Sequence, residues 1–240
     1  MKCFLLAVAI VTASLNLLPA SGQKSAAEKF KHAIMRSEDS ARLVSLLSEA
    51  TSGFPKGLID QARIVAIIPR ATREDVLVRR FLQGYGVVSA RLENGWSLPA
   101  FYQIASAPRK FTGTSQDNFA LILLFLNKDA LRWFDKDKSQ FKRERAAVLG
   151  PVGSLKEEET KHLSGKEVIA YTYYNGRLNG NNIDPDFFKD FTLNQDNNIN
   201  LGLYGVKGRE VLEGKKTDPG SLPSGITAFR EALARDWPIR

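Results

Sequence analysis

The side chains in this 240-residue sequence with the most to offer chemically are its cations. Arg79 and Arg80 are adjacent, Arg109 and Lys110 follow Pro108, and Lys142, Arg143 and Arg145 are interrupted by Glu144. Lys24, Lys29, Lys31 and Arg36 decorate one N-terminal segment. Guanidinium and ammonium groups hold anions through charge-assisted hydrogen bonds. On a strand, Arg79 and Arg80 fall on opposite faces, so both meet one ligand only at a rim or a bulge. Arg109 and Lys110 read as loop residues, placed either to touch headgroups or to stay solvated.

Nucleophilic and metal chemistry have less to work with. His32 and His162 are the only histidines, one on a helix and one in a loop, with no Cys or carboxylate at ligand spacing. Cys3 is the only cysteine, so the chain after it has no disulfide, thiol nucleophile or thiolate site. Asp184, Asp186, Asp190 and Asp196 lack the spacing and glycine of a calcium loop. Glu157–Glu159 reads as a solvated acidic run, and no phosphate-binding glycine motif precedes a helix. The expectation is a protein that is not an enzyme, with no cofactor and no metal.

The charge is uneven. Net charge is +8, and residues 21–153 hold 21 Lys/Arg against 13 Asp/Glu, while residues 154–240 hold 12 against 13. The basic excess suits either an anionic partner or a solubilising surface. The N-terminus shifts the balance. Lys2, the apolar run Cys3–Leu18 and the small residues up to Gly22 predict a signal peptide over residues 1–22, with an uncleaved anchor as the alternative. The protein is then exported, periplasmic or extracellular, with peripheral membrane association, and nucleic acid is not an expected partner. No later segment is long and apolar enough to span a bilayer; Phe119–Leu126 is one strand in length.

The elements that must position the cations follow from periodicity. Ser25–Ala50 reads as helical, with Ser37–Ser40 as a break and N-cap. Its apolar stripe beside lysines fits packing on its own domain or lying on a membrane. A short helix runs from Pro55 to Ala62. Ile64–Ile68, Val76–Leu82 and Val87–Leu92 read as three strands of an antiparallel meander, with a bulge or hairpin at Gly84 and Gly86 and a turn at Asn94-Gly95. Phe119–Leu126 reads as a central strand, Lys128–Phe134 as a helix capped by Asn127, and Phe141–Leu149 and Val168–Tyr174 as strands. Asn175–Pro185 is a loop, and Val206–Gly214 a short helix. After a linker over Thr217–Ser224, Ile226, Phe229, Leu233 and Trp237 share one face of a terminal helix. The expected fold is α+β, a curved antiparallel, barrel-like sheet with N-terminal helical segments and a C-terminal helix. Trp96 and Phe101 are expected in its core.

Several short motifs, in order, resemble the SYLF domain, a lipid-binding family of bacteria, fungi, plants and animals. They are Ala66-Ile-Ile-Pro69, Gly84-Tyr-Gly-Val87, Gly95-Trp-Ser-Leu-Pro-Ala-Phe101, Leu121–Asn127 with Ala130, Leu131 and Phe134, Gly150-Pro-Val-Gly153, and Tyr204-Gly205 with Arg209-Glu-Val-Leu212. The likeness covers roughly Gly53 to Lys216. It departs where the family is glycine-dense: Asp75–Leu82 carries Arg79 and Arg80 instead, and Ala105–Gly113 carries Pro108-Arg109-Lys110. The domain reading is residues 23–216 as a SYLF-like domain with N-terminal helices, and residues 217–240 as linker and C-terminal helix.

The resemblance implies binding of anionic phospholipid, with actin a further partner in fungal relatives. For an exported bacterial-type member the counterparts are phosphatidylglycerol, cardiolipin or lipopolysaccharide. Lys29, Lys31, Arg79, Arg80, Arg109, Lys110 and Arg143 are the expected lipid contacts. The second reading is an envelope scaffold that holds a protein partner through sheet edges and the C-terminal helix.

Overall fold

Ile64–Ile68 is apolar at every position, and a segment buried on both faces must sit in the middle of a sheet. In the computed structural model it opens strand β1 (Ile64–Val76), which pairs antiparallel with β2 (Arg79–Leu92). The described residues are 26–49, 53–55, 57–76, 79–106, 109–110, 116–136, 138–140, 148–149, 167–179, 191–216, 220 and 222–239. Residues 1–22, Arg143 and the Gly150–Gly153 motif lie outside them.

The remaining strands are β3 (Gly95–Trp96), β4 (Ala100–Ser106), β5 (Arg109–Lys110), β6 (Gln116–Phe125), β7 (Lys138–Gln140), β8 (Val148–Leu149), β9 (Val168–Tyr174), β10 (Arg177–Asn179) and β11 (Phe191–Gln195). The path across the sheet is β10-β9-β6-β1-β2-β4-β11-β7, with β3 and β5 added on β2 and β8 parallel to β9. Among the described residues the sheet is mostly antiparallel and does not close into a barrel. The fold is α+β, with helices contributed by both ends of the chain.

Two expectations about strands are corrected. The three apolar runs of the meander lie on two long strands: Val76 ends β1 and Arg79–Leu82 opens β2, so the expected middle strand is divided between the two arms of a hairpin. The polar stretch Arg73–Asp75 conceals this continuity, because it is held by pairing and not by burial. Likewise Asn175–Pro185 is not all loop. Asn175, at φ 49°, and Gly176, at φ 75°, make a tight turn whose return arm is β10.

A bulge sits in β1. Between Ile67 and Arg70 the strand advances three residues while β2 advances two, and the same slip occurs against β6 between Ile68 and Ala71. Pro69 lies in this gap, where its missing N–H breaks no ladder bond. Gly86 faces the slip, and a Cβ there would lie 2.2 Å from the Ile67 carbonyl oxygen.

The helix α1 (Ala26–Glu49) is continuous through Ser37–Ser40, where a break was expected. Those residues are tertiary contacts. Ser37 Oγ donates to the Ile226 carbonyl at 2.8 Å and accepts from Phe229 N–H at 3.2 Å. Ala33, Ser37, Ser40, Val44 and Leu47 form its buried stripe. The short α2 (Leu58–Gln61) starts later than Pro55, whose carbonyl accepts from Leu58 N–H. After β6, Asn127 Oδ1 accepts from Asp129 N–H, and the expected helix is one 3-10 turn, Ala130–Phe134.

Three further helices complete the layers: α3 (Asn197–Tyr204), α4 (Gly208–Leu212) and α5 (Ser224–Asp236). The apolar face of α5 lies on α1 and the sheet, with Ile226, Phe229, Leu233 and Trp237 all buried. The two helices run parallel, since Ser37 meets the start of α5 and Ser45 Oγ donates to Asp236 near its end. Trp96 Nε1 donates to the Trp237 carbonyl at 3.0 Å, and the Phe54 ring stands edge-on to Tyr171 and Trp237. On the other face Phe134 packs against Tyr102 and Phe125. Asn200 extends the β4 ladder by one rung, accepting from Phe101 N–H at 2.8 Å and donating to its carbonyl at 2.9 Å.

Gly86→Ala is expected to destabilise the fold by roughly 2–4 kcal/mol, because the atom in its way is backbone and cannot rotate aside. Urea unfolding, with the midpoint lowered at unchanged slope, measures this.

Candidate functional site

The bulge at Pro69 marks where α1 crosses the sheet. Asp39 of α1 meets Arg70 at 2.9 Å and also pairs with Arg42 one turn on. Two largely exposed guanidinium groups thus share one mostly buried carboxylate, which leaves a net positive charge at the surface. A turn earlier, Arg36 pairs with Asp196 at 3.1 Å, and its guanidinium lies 4.5 Å over the Tyr85 ring.

A groove opens on each side of this crossing. One, of about 730 Å³, lies toward β4 and α3 and is lined by His32, Met35, Arg36, Tyr85, Gln103 and Asp196, among others. The other, of about 760 Å³, lies toward β6 and β9 and includes Arg42, Leu46, Phe119, Tyr173 and Tyr174. Asp39, Pro69 and Arg70 line both.

Large apolar side chains exposed to water gather here. Among the described residues five are exposed, and four of them line the two grooves: Met35 (38%), Tyr85 (46%), Leu46 (51%) and Tyr174 (41%). Leu201 on α3 is the fifth. On α1, the stripe Lys31, Met35, Glu38, Arg42 and Leu46 faces water, so two apolar groups are interspersed among three charged ones along its outer side.

The residues expected from the sequence divide into three groups. Arg79 and Arg80 open β2 opposite Lys110 and Arg109 of β5, so four cationic positions form two adjacent cross-strand pairs. The neighbours of Arg79 and Arg80 on β1 are Val76 and Asp75. These positions belong to strands; Arg109 and Lys110 are paired rather than in an open loop. Lys29 and Lys31 lie near the start of α1, away from the hairpin in sequence, and Lys31 is exposed. Arg143 falls outside the described residues.

Sequence reasoning missed Met35, Arg42, Leu46, Arg70, Tyr85 and Tyr174. Two signals were present. Leu46 sits off the α1 stripe that carries Leu43, Val44 and Leu47, and Tyr85 is a large aromatic between two strand glycines. The convergence of positions 35, 46, 85 and 174 is long-range and has no local signature.

Other buried polar groups tie elements of the fold together. Glu167 accepts from Arg132 and from Trp133 Nε1, tying the 3-10 turn to β9. Tyr204 donates to the Pro99 carbonyl at 2.7 Å, and burial raises its pKa above the usual phenol range. Among the described residues, no group of three or more His, Cys, Asp or Glu could hold a metal ion, and no helix is long and apolar enough to cross a membrane. No family model and no curated protein matches the chain.

Asp39→Asn is expected to change unfolding free energy by less than about 1 kcal/mol, since both arginines stay hydrated without it. Chemical denaturation checks this. The same variant gains one positive charge at the α1 crossing.

Proposed function

We propose that this chain is a non-enzymatic binder of anionic phospholipid surfaces. The observation that carries the reading is the gathering of Met35, Leu46, Tyr85 and Tyr174 around α1 among the exposed arginines 42 and 70. Exposed apolar side chains interspersed with arginines suit an interface where headgroups are negative and acyl chains lie just below. The cationic end of the β1–β2 hairpin lies about 20 Å along β2 from Tyr85, six residues at 3.3 Å each. Each cation at an anionic surface contributes roughly 1 kcal/mol, and the aromatic and aliphatic groups add shallow insertion. The SYLF-like motifs support the same reading by resemblance, and an exported chain would meet phosphatidylglycerol, cardiolipin or lipopolysaccharide.

Co-sedimentation with phosphatidylglycerol and phosphatidylcholine vesicles tests this. The folded chain is expected to bind the anionic vesicles selectively, with affinity falling as salt rises. R79E/R80E is expected to weaken that binding by roughly 10-fold or more, as two cations become two anions. M35S/L46S/Y85S/Y174S is expected to keep the salt dependence but lose the insertion part of the affinity. Equal binding to both vesicle types at low salt would refute the electrostatic capture.

A further inference from the structure

A second concentration of positive charge lies at the other end of the same strands. Arg63 joins α2 to β1, and its N–H donates to the Phe125 carbonyl at 2.7 Å. Arg91, near the end of β2, donates its own N–H to the Arg63 carbonyl at 2.8 Å. Lys128 follows β6, just before the 3-10 turn. These three backbone positions frame a cavity of about 330 Å³. Its remaining lining is apolar and includes the buried Ile64, Ala90 and Leu212. No carboxylate is among the residues that line it.

The three cations differ in how they are held. Arg91 is fixed: Nε donates to the Ala62 carbonyl and Nη2 to the Ile59 carbonyl, both at 3.1 Å, and the guanidinium lies 4.9 Å over the Trp96 ring. Burial lowers its pKa from the usual guanidinium range; Asp60 of α2 opposes this and Arg63 adds to it. Arg63 is therefore close enough for the two like charges to repel. Arg63 and Lys128 are exposed, and neither side chain makes an ion pair among the described residues. Arg63 and Lys128 are thus two exposed cations beside a concave site with no lining acid, and the Arg91 charge, on the other face of β2, adds to a positive potential that a bound anion would relieve.

We propose that the cleft between Arg63 and Lys128, against the β2 backbone at Arg91, is a binding site for a phosphate group, carried by a small organic ester or by a lipid headgroup. Its volume suits a group of glycerol phosphate size. Arg63 and Lys128 close on the anion as mobile charges, and the Arg91 guanidinium, held by the Ile59 and Ala62 carbonyls and the Trp96 ring, adds positive potential from behind β2. The site is separate from the surface around α1 and the hairpin. It lies roughly 40 Å along β1 from the Arg79 end, 13 residues at 3.3 Å each.

Titration calorimetry with inorganic phosphate and with glycerol phosphate tests the proposal. R63Q/K128Q is the informative variant, because both side chains are exposed, whereas Arg91 also anchors α2. Saturable binding is expected for the native chain, weakened at least ~10-fold in R63Q/K128Q, largely retained in R63K, and unchanged in R79E/R80E. Absence of saturable binding by the native chain, or equal affinity in R63Q/K128Q, overturns it. Nanodiscs of phosphatidylglycerol separate the two sources. Weaker nanodisc binding by R63Q/K128Q identifies a headgroup, and loss confined to the soluble ester identifies a free phosphate ester. Because R79E/R80E reports on the bilayer surface and R63Q/K128Q on the cleft, failure of one reading is distinct from failure of the other.

Discussion

A proline in the middle of a central strand sets the geometry of this molecule. Pro69 offers no N–H, and a regular ladder on both sides of β1 would leave partners unsatisfied. One extra residue in β1, matched by the absence of a side chain at Gly86, resolves the conflict. On one side of this point β1 is buried on both faces, from Ile64 to Ile68. On the other it becomes polar and continues as one arm of a hairpin. The helix α1 crosses at the change, and Asp39 ties it there through Arg70.

The same constraint distributes the surface chemistry. Tyr85 stays in the ladder opposite Arg70, yet is exposed beside α1, where Arg36 covers its ring. The grooves on either side exist because a cylinder laid across a twisted sheet touches it along a line and leaves space at its flanks. At the opposite end, three chain segments converge and bring Arg63, Arg91 and Lys128 together. Cationic positions are thus gathered at the two ends of one pair of strands, with the buried run Ile64–Ile68 and the α1 crossing between them.

Much of the architecture was legible in the sequence where burial is two-sided. Ile64–Ile68, Leu121–Phe125 and Val168–Tyr171 are apolar runs and are fully buried strands, and the spacing of Ile226, Phe229, Leu233 and Trp237 marked a helix face that is buried. Legibility failed where pairing or tertiary contact replaced burial. The outer arm of β1 is held by β2 and β6 despite its charges, so it did not read as strand. Ser37 looked like a helix cap because hydroxyls usually serve the local backbone, but here it serves a helix 189 residues away. Of the candidate site, the cationic pairs at positions 79, 80, 109 and 110 were visible as charge. The apolar half was not, because no local pattern brings residues 35, 46, 85 and 174 together.

The parallel pairing of α1 with α5 has a consequence for how the molecule is made. The buried stripe of α1 is finished by residues of α5, some 189 residues further along the chain. As the chain emerges from the ribosome, α1 remains half uncovered until α5 has been synthesised. Completion of this layer is therefore deferred until α5 has emerged, and a nascent chain stopped before Ser224 would present a bare greasy seam.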